Sequence, residues 1–125
     1  MPDPSFEAQW LCESSQLSEA GTAVMFEVRE GGRHVPAFAV RYQSTVRAYL
    51  NRCAHVPAQM DWQPGEFWDT DRQYIVCAMH GAHYQPSSGL CVLGPCRGAY
   101  LTPIALLEKE GQVYWYPSSR FQPVF

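Results

Sequence analysis

Apolar and polar residues alternate along much of the chain, which is the pattern of strands that bury one face. Val24, Phe26 and Val28 form the apolar side of one such strand, and the glycine pair at 31–32 precedes a second extended run at 35–42. Two glycines between two extended runs are typical of a hairpin turn. This part of the sequence therefore predicts a β-hairpin.

Two further extended runs lead directly to cysteines. The alternating stretch 46–50 predicts a strand with one apolar face, and Cys53 follows its end. The short apolar run 74–76 leads in the same way into Cys77. Pro36 predicts an edge position for the strand that contains it, because proline cannot donate a backbone hydrogen bond to a neighbouring strand.

The end of the chain predicts a closing hairpin, with arms at 101–107 and 112–116 and a charged turn at 108–111. Helical signals are scarce, because ten prolines and nine glycines interrupt the chain. Roughly seven or eight short strands indicate an all-β fold, either a small antiparallel sandwich or a barrel. The segment 117–125 predicts a tail held loosely at the surface, unless its aromatic side chains pin it down.

The length and charge of the chain restrict the class of protein. Its 125 residues fit a single domain over 1–125. The formal charge of −3 and the lack of a basic cluster argue against nucleic acid as a partner. Residues 1–11 do not resemble a signal peptide, and no apolar stretch is long enough to span a membrane. We therefore expect a cytoplasmic protein with no membrane anchor.

The cysteines favour thiol chemistry over a disulfide framework. Their number is odd and no export signal precedes them, which is typical of a reducing compartment. A bridge between Cys91 and Cys96 is sterically conceivable, but sequence spacing does not establish it. Outside the motifs described next, the cysteines are most simply small core residues. The five are Cys12, Cys53, Cys77, Cys91 and Cys96.

Two of the cysteines each stand close to a histidine. Cys53 and His55 form a C-x-H motif, and Cys77 and His80 form a C-x-x-H motif. Because each motif follows a predicted strand, the two loops can face each other across a metal centre. Two thiolates and two imidazoles suit either zinc or an iron–sulfur cluster, so the ligand types leave both open. The mixed order within each loop is unlike the usual structural zinc site.

These motifs resemble the Rieske family of [2Fe–2S] proteins, in which two cysteines hold one iron and two histidines the other. The run 77–84, C-A-M-H-G-A-H-Y, matches the second cluster loop of the family, and the turn at 88–89 follows it. The stretch 94–101 is similar to the proline loop that closes over the cluster, and 60–67 resembles a variant found in small Rieske ferredoxins. The resemblance covers roughly residues 24–116.

The resemblance implies one [2Fe–2S] cluster, bound by loops at about 51–62 and 75–98. Two thiolates neutralise the doubly positive oxidised core, whereas four would leave it doubly negative, so an electron is added more easily. The implied ligands are Cys53, His55, Cys77 and His80. The residues implied to surround and cover the cluster are Tyr84, Gly81, Gly94 and Pro95.

The chain departs from the high-potential members of the family at three positions. Those members have two further cysteines that join the cluster loops, where this chain has Ala58 and Met79, and a serine where it has Ala82. Tyr84 does match their tyrosine. Since hydrogen-bond donors to the sulfurs stabilise the reduced state, we predict a midpoint in the low or middle part of the Rieske range.

The resemblance implies a one-electron carrier rather than an enzyme, with a flavin-containing reductase and an oxygenase or another oxidoreductase as partners. A redox-sensing or structural subunit of a larger complex is one alternative. A zinc-stapled interaction domain, colourless and free of acid-labile sulfide, is another.

Several neighbouring residues are assigned simpler or weaker roles. His83 is expected to be solvated or hydrogen-bonded rather than a ligand. An apolar docking rim around the histidines is predicted at Val56, Pro57 and Pro95. Packing roles are expected for Trp62, Phe67, Trp68, Trp115 and Tyr116.

Overall fold

The structure is a computed structural model that describes residues 7–54, 58–78 and 81–124. In these ranges the chain forms ten strands, all paired antiparallel within three sheets, and a 3₁₀ turn at Ser14–Gln16. The all-β prediction is therefore confirmed. The strands are β1 (Gln9–Glu13), β2 (Val24–Glu30), β3 (Arg33–Tyr42), β4 (Thr45–Leu50), β5 (Ile75–Val76), β6 (His83–Tyr84), β7 (Cys91–Leu93), β8 (Pro103–Ile104), β9 (Leu106–Lys109) and β10 (Gln112–Trp115).

The first hairpin is confirmed, with β2 and β3 in register from Val24 opposite Ala39 to Glu30 opposite Arg33. Its two turn residues, Gly31 and Gly32, both have positive φ, which is the conformation that a two-residue turn between twisted strands requires. The predicted closing hairpin is also present, formed by β9 and β10.

The first arm of that closing hairpin differs from the prediction in one respect. The segment 101–107 does not form one strand, because β8 pairs with β4 while β9 pairs with β10. The chain changes sheets between Ile104 and Leu106. Splits of this kind, and strands as short as two residues, explain why the structure has more strands than the sequence pattern predicts.

The predicted edge position of Pro36 is wrong. The strand β3 lies inside the sheet of order β2-β3-β4-β8, and Pro36 is opposite Glu27 of β2. Its carbonyl accepts the N–H of Asn51, just beyond the end of β4. Because the N–H and C=O of one strand residue point to the same side, the missing N–H of Pro36 faces this end and not the ladder with β2.

The four-stranded sheet lies between two hydrophobic cores. On one face, Ala48 and Leu50 pack with Val113 and Trp115 of the sheet of order β1-β10-β9. On the other face, a second core surrounds the cysteine loops and the sheet of order β5-β6-β7. That core contains Phe38, Val40, Tyr49, Phe67, Ile75, Cys77 and Tyr84.

Strand β4 is consequently buried on both faces over its second half. The sequence predicts one apolar face there, and Ala48 and Leu50 form it. Tyr49, on the alternate face, is also buried at 2% exposure, because the cysteine loops cover it. Two core layers on one short strand fix the direction in which the chain enters the first loop.

The tail is pinned rather than loose. Phe121 is buried at 6% exposure in the same core as Trp115, and Gln122 exchanges backbone hydrogen bonds with Arg29 of β2. Of the two possibilities stated for the segment 117–125, the structure adopts the one in which an aromatic side chain holds the tail against the core. Across the described ranges, no helix is long and apolar enough to cross a membrane.

Candidate metal centre

Cys53 lies in the loop that follows β4. Its backbone N–H donates to the carbonyl of Ala58 over 2.9 Å, which draws the two ends of the loop together. Cys53 is 3% exposed, whereas the next residue, Ala54, is exposed. The loop therefore holds a buried sulfur directly beneath the protein surface.

Cys77 follows β5 in a tighter turn. Its N–H donates to Ala82 over 2.9 Å, and its carbonyl accepts the N–H of Gly81 over 2.8 Å. Gly81 has a φ of +71°, which glycine adopts without strain. Cys77 is completely buried while Ala78 beside it is exposed. The second loop thus repeats the arrangement of the first, with a buried cysteine next to an exposed residue.

The two loops are joined through a buried asparagine that the sequence analysis missed. Asn51 is 1% exposed; its Nδ2 donates to Asp61 Oδ1 over 2.9 Å, and its Oδ1 accepts the N–H of Met60 over 2.8 Å. The carbonyl of Met60 in turn accepts the N–H of Ala78 over 2.9 Å. Asn51 therefore fixes the return of the first loop, which supports the second. The sequence does contain one signal for this role, because Asn51 is a polar residue between a predicted core strand and the candidate ligand Cys53.

The hydroxyl group of Tyr84 connects three groups around the first cysteine. Its oxygen accepts the N–H of Ala54 over 3.1 Å and lies 3.4 Å from the sulfur of Cys53 and 3.1 Å from the sulfur of Cys96. Burial, together with hydrogen bonds to the two cysteines, holds the pKa of Tyr84 well above its usual range. The phenol therefore keeps its proton and is available as a donor to sulfur.

The loop after β7 packs against the Cys77 turn. Gly94 has a φ of +105°, and a Cβ on it would lie 2.8 Å from Cα of Ala82. Only glycine allows this close approach. Gly94 and Pro95 are both exposed, so they form the outer surface of this loop, while Ala82 beneath it is fully buried.

The other sequence-based assignments are met to different degrees. His83 is half-buried, and its Nδ1 lies 2.7 Å from the carbonyl of Gly81, which is the hydrogen-bonded role expected for it. Among the aromatics, Phe67 stacks on Phe38 with ring centroids 3.8 Å apart, as expected for core packing. Trp62 differs from that expectation, because it is 62% exposed.

Half of the predicted ligand set lies outside the described residues. This applies to His55 and His80, and also to Val56, Pro57 and Met79 of the predicted rim and loop. In the part of the chain that the structure describes, no three histidine, cysteine or carboxylate side chains converge as a metal site. The four-ligand set therefore remains a prediction from the sequence.

The described residues fit the thiolate side of an iron–sulfur cluster. Two buried cysteines project from adjoining loops, and a protonated phenol lies within hydrogen-bonding distance of one sulfur. Such a donor stabilises the additional negative charge of a reduced cluster. The sequence motif that supplies each cysteine also supplies one histidine two or three residues later.

Comparisons with solved structures support this interpretation of the fold. The ferredoxin of carbazole 1,9a-dioxygenase from Nocardioides aromaticivorans IC177 superposes with a TM-score of 0.69 at 18% identity, over 90% of this chain and 100% of that chain. A complex of reduced oxygenase and oxidised ferredoxin of carbazole 1,9a-dioxygenase gives a TM-score of 0.66 at 22% identity, over 87% of this chain and 92% of that chain.

A third similar structure is the terminal oxygenase of carbazole 1,9a-dioxygenase from Novosphingobium sp. KA1. It has a TM-score of 0.66 at 19% identity, over 96% of this chain and 32% of that chain. No curated protein matches the sequence significantly. The family model described as Rieske [2Fe-2S] domain matches residues 7–117, which is most of the chain. The chain therefore belongs to the Rieske [2Fe-2S] domain family and binds one [2Fe–2S] cluster.

Proposed function

We propose that this chain is a one-electron carrier, not an enzyme, which passes electrons from a reductase to an oxygenase or another oxidoreductase. The observation that carries the proposal is the depth of the predicted cluster ligands. Cys53 and Cys77 are buried, yet Ala54 and Ala78 beside them are exposed. A redox group held there is shielded from water and still lies close enough to the surface to exchange electrons with a docked partner.

The similar structures support a carrier that works with an oxygenase. The protein from Nocardioides aromaticivorans is described as a ferredoxin of a dioxygenase system, and its whole length is matched. The second structure is described as a complex between an oxygenase and its ferredoxin. By analogy, we propose that this chain docks transiently on an oxygenase and receives its electrons from a flavin-containing reductase in the cytoplasm. Transient redox contacts of this kind are typically small.

We assign the cluster ligands as Cys53 and Cys77 on one iron and His55 and His80 on the other. When bound, the cluster supplies a one-electron couple. The chain contributes a hydrogen bond from Tyr84 toward the Cys53 sulfur, which favours the reduced state. It contributes no hydroxyl at Ala82, where high-potential relatives have a serine. We therefore place the midpoint below about +200 mV, within a family range of about −150 to +300 mV.

The cluster assignment is tested on the purified holoprotein. We expect two irons and two acid-labile sulfides per chain, as a [2Fe–2S] cluster requires, and a dithionite-reduced electron paramagnetic resonance spectrum with the low average g value of mixed-ligand clusters. His55→Ala and His80→Ala should each lose this signal. His83→Ala is the matched control, because His83 bonds to Gly81 and should leave the cluster intact. A single zinc ion with no sulfide would support the zinc-stapled alternative and overturn the proposal.

The carrier function is tested by electron transfer. A flavin-containing reductase should reduce the cluster, and an oxygenase should reoxidise it, with both steps saturating as expected for transient complexes. Size-exclusion chromatography should show the chain separating from both partners. Stable co-elution with one partner and no reoxidation would instead indicate a structural or sensing subunit. Val56→Ser should slow at least one transfer step if the predicted rim forms part of the docking surface.

A further inference from the structure

Two cysteines that have no place in the predicted ligand set lie in contact near the cluster loops. Cys91 begins β7 and Cys96 lies in the turn after Gly94, and their sulfurs are 3.0 Å apart. Both are thiols and both are buried, Cys91 at 1% exposure and Cys96 at 8%. The sequence spacing alone did not establish this proximity. The structure therefore reveals a dithiol beside the candidate metal centre.

Backbone hydrogen bonds hold the dithiol together. The N–H of Cys91 donates to Ala99 over 2.8 Å, and its carbonyl accepts the N–H of Gly98 over 3.0 Å. The carbonyl of Cys96 accepts the N–H of Ala99 over 2.8 Å. The loop between the two cysteines is thus closed by the backbone on both sides. Because the loop is already closed, little further chain entropy is lost when the two sulfurs are joined.

The sulfurs of Cys91 and Cys96 need only a small movement to form a disulfide. A disulfide requires a sulfur–sulfur separation of about 2.0 Å, so the two sulfurs must approach by about 1 Å. Side-chain rotation on a backbone already fixed at both ends can supply such a movement. Cys96 is the more exposed of the two residues, so we take it as the first point of contact for a small reagent.

We propose that Cys91 and Cys96 form a second redox site, a dithiol that low-molecular-weight disulfides such as glutathione disulfide oxidise reversibly. The deprotonated sulfur of Cys96 attacks one sulfur of the small disulfide, whose S–S bond breaks and releases one small thiolate. The deprotonated sulfur of Cys91 then attacks Cys96 in the mixed disulfide and releases the second. The two protons lost by the cysteines are taken up by the two small thiolates, and the two electrons lost by the dithiol reduce the small disulfide.

This redox site is one hydroxyl group away from the predicted ligand Cys53. Tyr84 Oη lies 3.1 Å from the Cys96 sulfur and 3.4 Å from the Cys53 sulfur. The single S–H of Cys96 donates to the Cys91 sulfur, so the single O–H of Tyr84 can donate to either the Cys96 sulfur or the Cys53 sulfur. A disulfide sulfur is a poorer hydrogen-bond acceptor than a thiol sulfur, so oxidation of the dithiol directs the Tyr84 O–H toward Cys53. If Cys53 is a ligand, as the proposed function assigns it, oxidation of the dithiol should raise the cluster midpoint.

The dithiol itself is tested by thiol trapping of the holoprotein. The protein is equilibrated anaerobically in glutathione buffers of increasing oxidised-to-reduced ratio, quenched with acid, denatured, alkylated and digested with trypsin. Cleavage after Arg72 and Arg97 gives the peptide 73–97, which contains Cys77, Cys91 and Cys96. We expect Cys91 and Cys96 to lose both alkyl groups together as the ratio rises, and to regain them with excess dithiothreitol. Cys77 in the same peptide should be alkylated throughout and is the internal reference.

The variants separate this site from the other thiols. Cys12→Ala removes a buried cysteine from the opposite core and should titrate like the wild type. Cys91→Ser and Cys96→Ser should abolish the linked form. Full alkylation of both residues at every ratio, a bridge to Cys77, or a stable glutathione adduct on Cys96 alone would overturn the proposal. Full alkylation and a Cys96 adduct involve no cluster ligand, so they leave the proposed carrier function untouched, whereas a bridge to Cys77 would also count against Cys77 as a ligand.

The coupling to the cluster has its own measurement. The midpoint of the cluster is titrated in samples with the dithiol reduced or oxidised, with the visible absorbance showing that the cluster is retained. A higher midpoint after oxidation in the wild type, absent in Cys91→Ser, supports the transmission through Tyr84. An equal or lower midpoint after oxidation overturns the transmission, and the trapping result then decides the redox site alone.

Discussion

The hydroxyl oxygen of Tyr84 lies 3.4 Å from the sulfur of Cys53, in a position to stabilise negative charge on that sulfur. Tyr84→Phe removes this donor without changing the ring, so the reduced cluster should be less stable relative to the oxidised one. A differential of about 1 kcal/mol for one hydrogen bond corresponds to a midpoint lowered by roughly 40 mV. Redox titration monitored by visible circular dichroism measures the shift.

A second buried tyrosine provides the control for this prediction. Tyr49 donates its hydroxyl to the carbonyl of Pro86 over 2.7 Å and makes no contact with Cys53 through that group. Tyr49→Phe should cost about 1 kcal/mol of unfolding free energy and leave the midpoint unchanged. Equal midpoints for the two variants would show that the Tyr84 hydroxyl does not act on the cluster.

Asn51 should be important for retention of the cluster as well as for stability. Asn51→Ala leaves the buried N–H of Met60 without its acceptor and Asp61 Oδ1 without the donor that Asn51 supplies, at a cost of roughly 2 kcal/mol or more in unfolding free energy. Because Met60 supports Ala78 in the second loop, cluster release should also be faster. Urea unfolding and the decay of visible absorbance measure the two effects. Gln59→Ala, at an exposed position in the same loop, should change neither.

Alanine variants at Gly94 and Gly98 distinguish the effect of close packing from the effect of backbone conformation. Both have positive φ, +105° and +93°, so alanine is strained at either position. Only at Gly94 would the new Cβ meet the backbone of Ala82, at 2.8 Å, whereas Gly98 has no neighbour within 4 Å. Gly98→Ala should cost about 1 kcal/mol of stability and keep the cluster.

For Gly94→Ala we expect a larger loss of stability and a cluster that decays several-fold faster than in Gly98→Ala. The reason is that the loop after β7 must move away from the Cys77 turn and admit water. Decay of visible absorbance in the presence of an iron chelator gives the rate. Equal rates in the two variants would show that the contact with Ala82 does not protect the cluster.

The ion pair of Arg41 and Glu108 predicts a pH dependence of stability. Arg41 donates to both carboxylate oxygens, at 3.0 and 2.6 Å, and to the carbonyl of Leu17. This hydrogen bonding holds the pKa of Glu108 below its usual range. A lowered folded-state pKa contributes stability that is fully present above the unfolded pKa of about 4.3 and is lost as the pH falls through the folded value.

Glu108→Gln should therefore be less stable than the wild type at neutral pH, by up to about 1 kcal/mol for a partly exposed pair. The difference should shrink as the pH falls below about 4.3. Urea midpoints measured from pH 7 to pH 3 test the trend. Glu27→Gln, at an exposed site on β2, should show no such convergence.

Local sequence patterns predicted the strands well where two alternating runs meet at a short turn. The hairpin of β2 and β3 and that of β9 and β10 follow from alternation and glycine. Pro36 was misplaced because its missing N–H points past the end of β4, which only the three-dimensional register shows. The burial of Tyr49 was also missed, because it depends on loops that return from later in the chain.

The sequence predicted the ligand chemistry of the candidate site, but it did not predict the residues that hold the cluster loops in place. The cysteine motifs follow β4 and β5 as expected, and the loops adjoin through Met60 and Ala78. Asn51 has no periodic signature, because a single buried polar residue is defined by its partners. The contact between Cys91 and Cys96 arises from the backbone path around Gly94, and a spacing of five residues does not specify it.

The chain leaves the four-stranded sheet at Leu50 and rejoins it at β8, where the N–H of Leu50 donates to the carbonyl of Thr102. Residues 51–102 contain both cysteine loops, and we call this segment the redox half. Its two ends therefore adjoin neighbouring strands, β4 and β8. Its hydrophobic core is also distinct from the one that β1, β9 and β10 close. Such an arrangement allows the redox half to melt or anneal as a separate cooperative unit. A newly synthesised chain can thus present folded sheets to incoming iron and sulfide, with only the cluster loops still to become ordered.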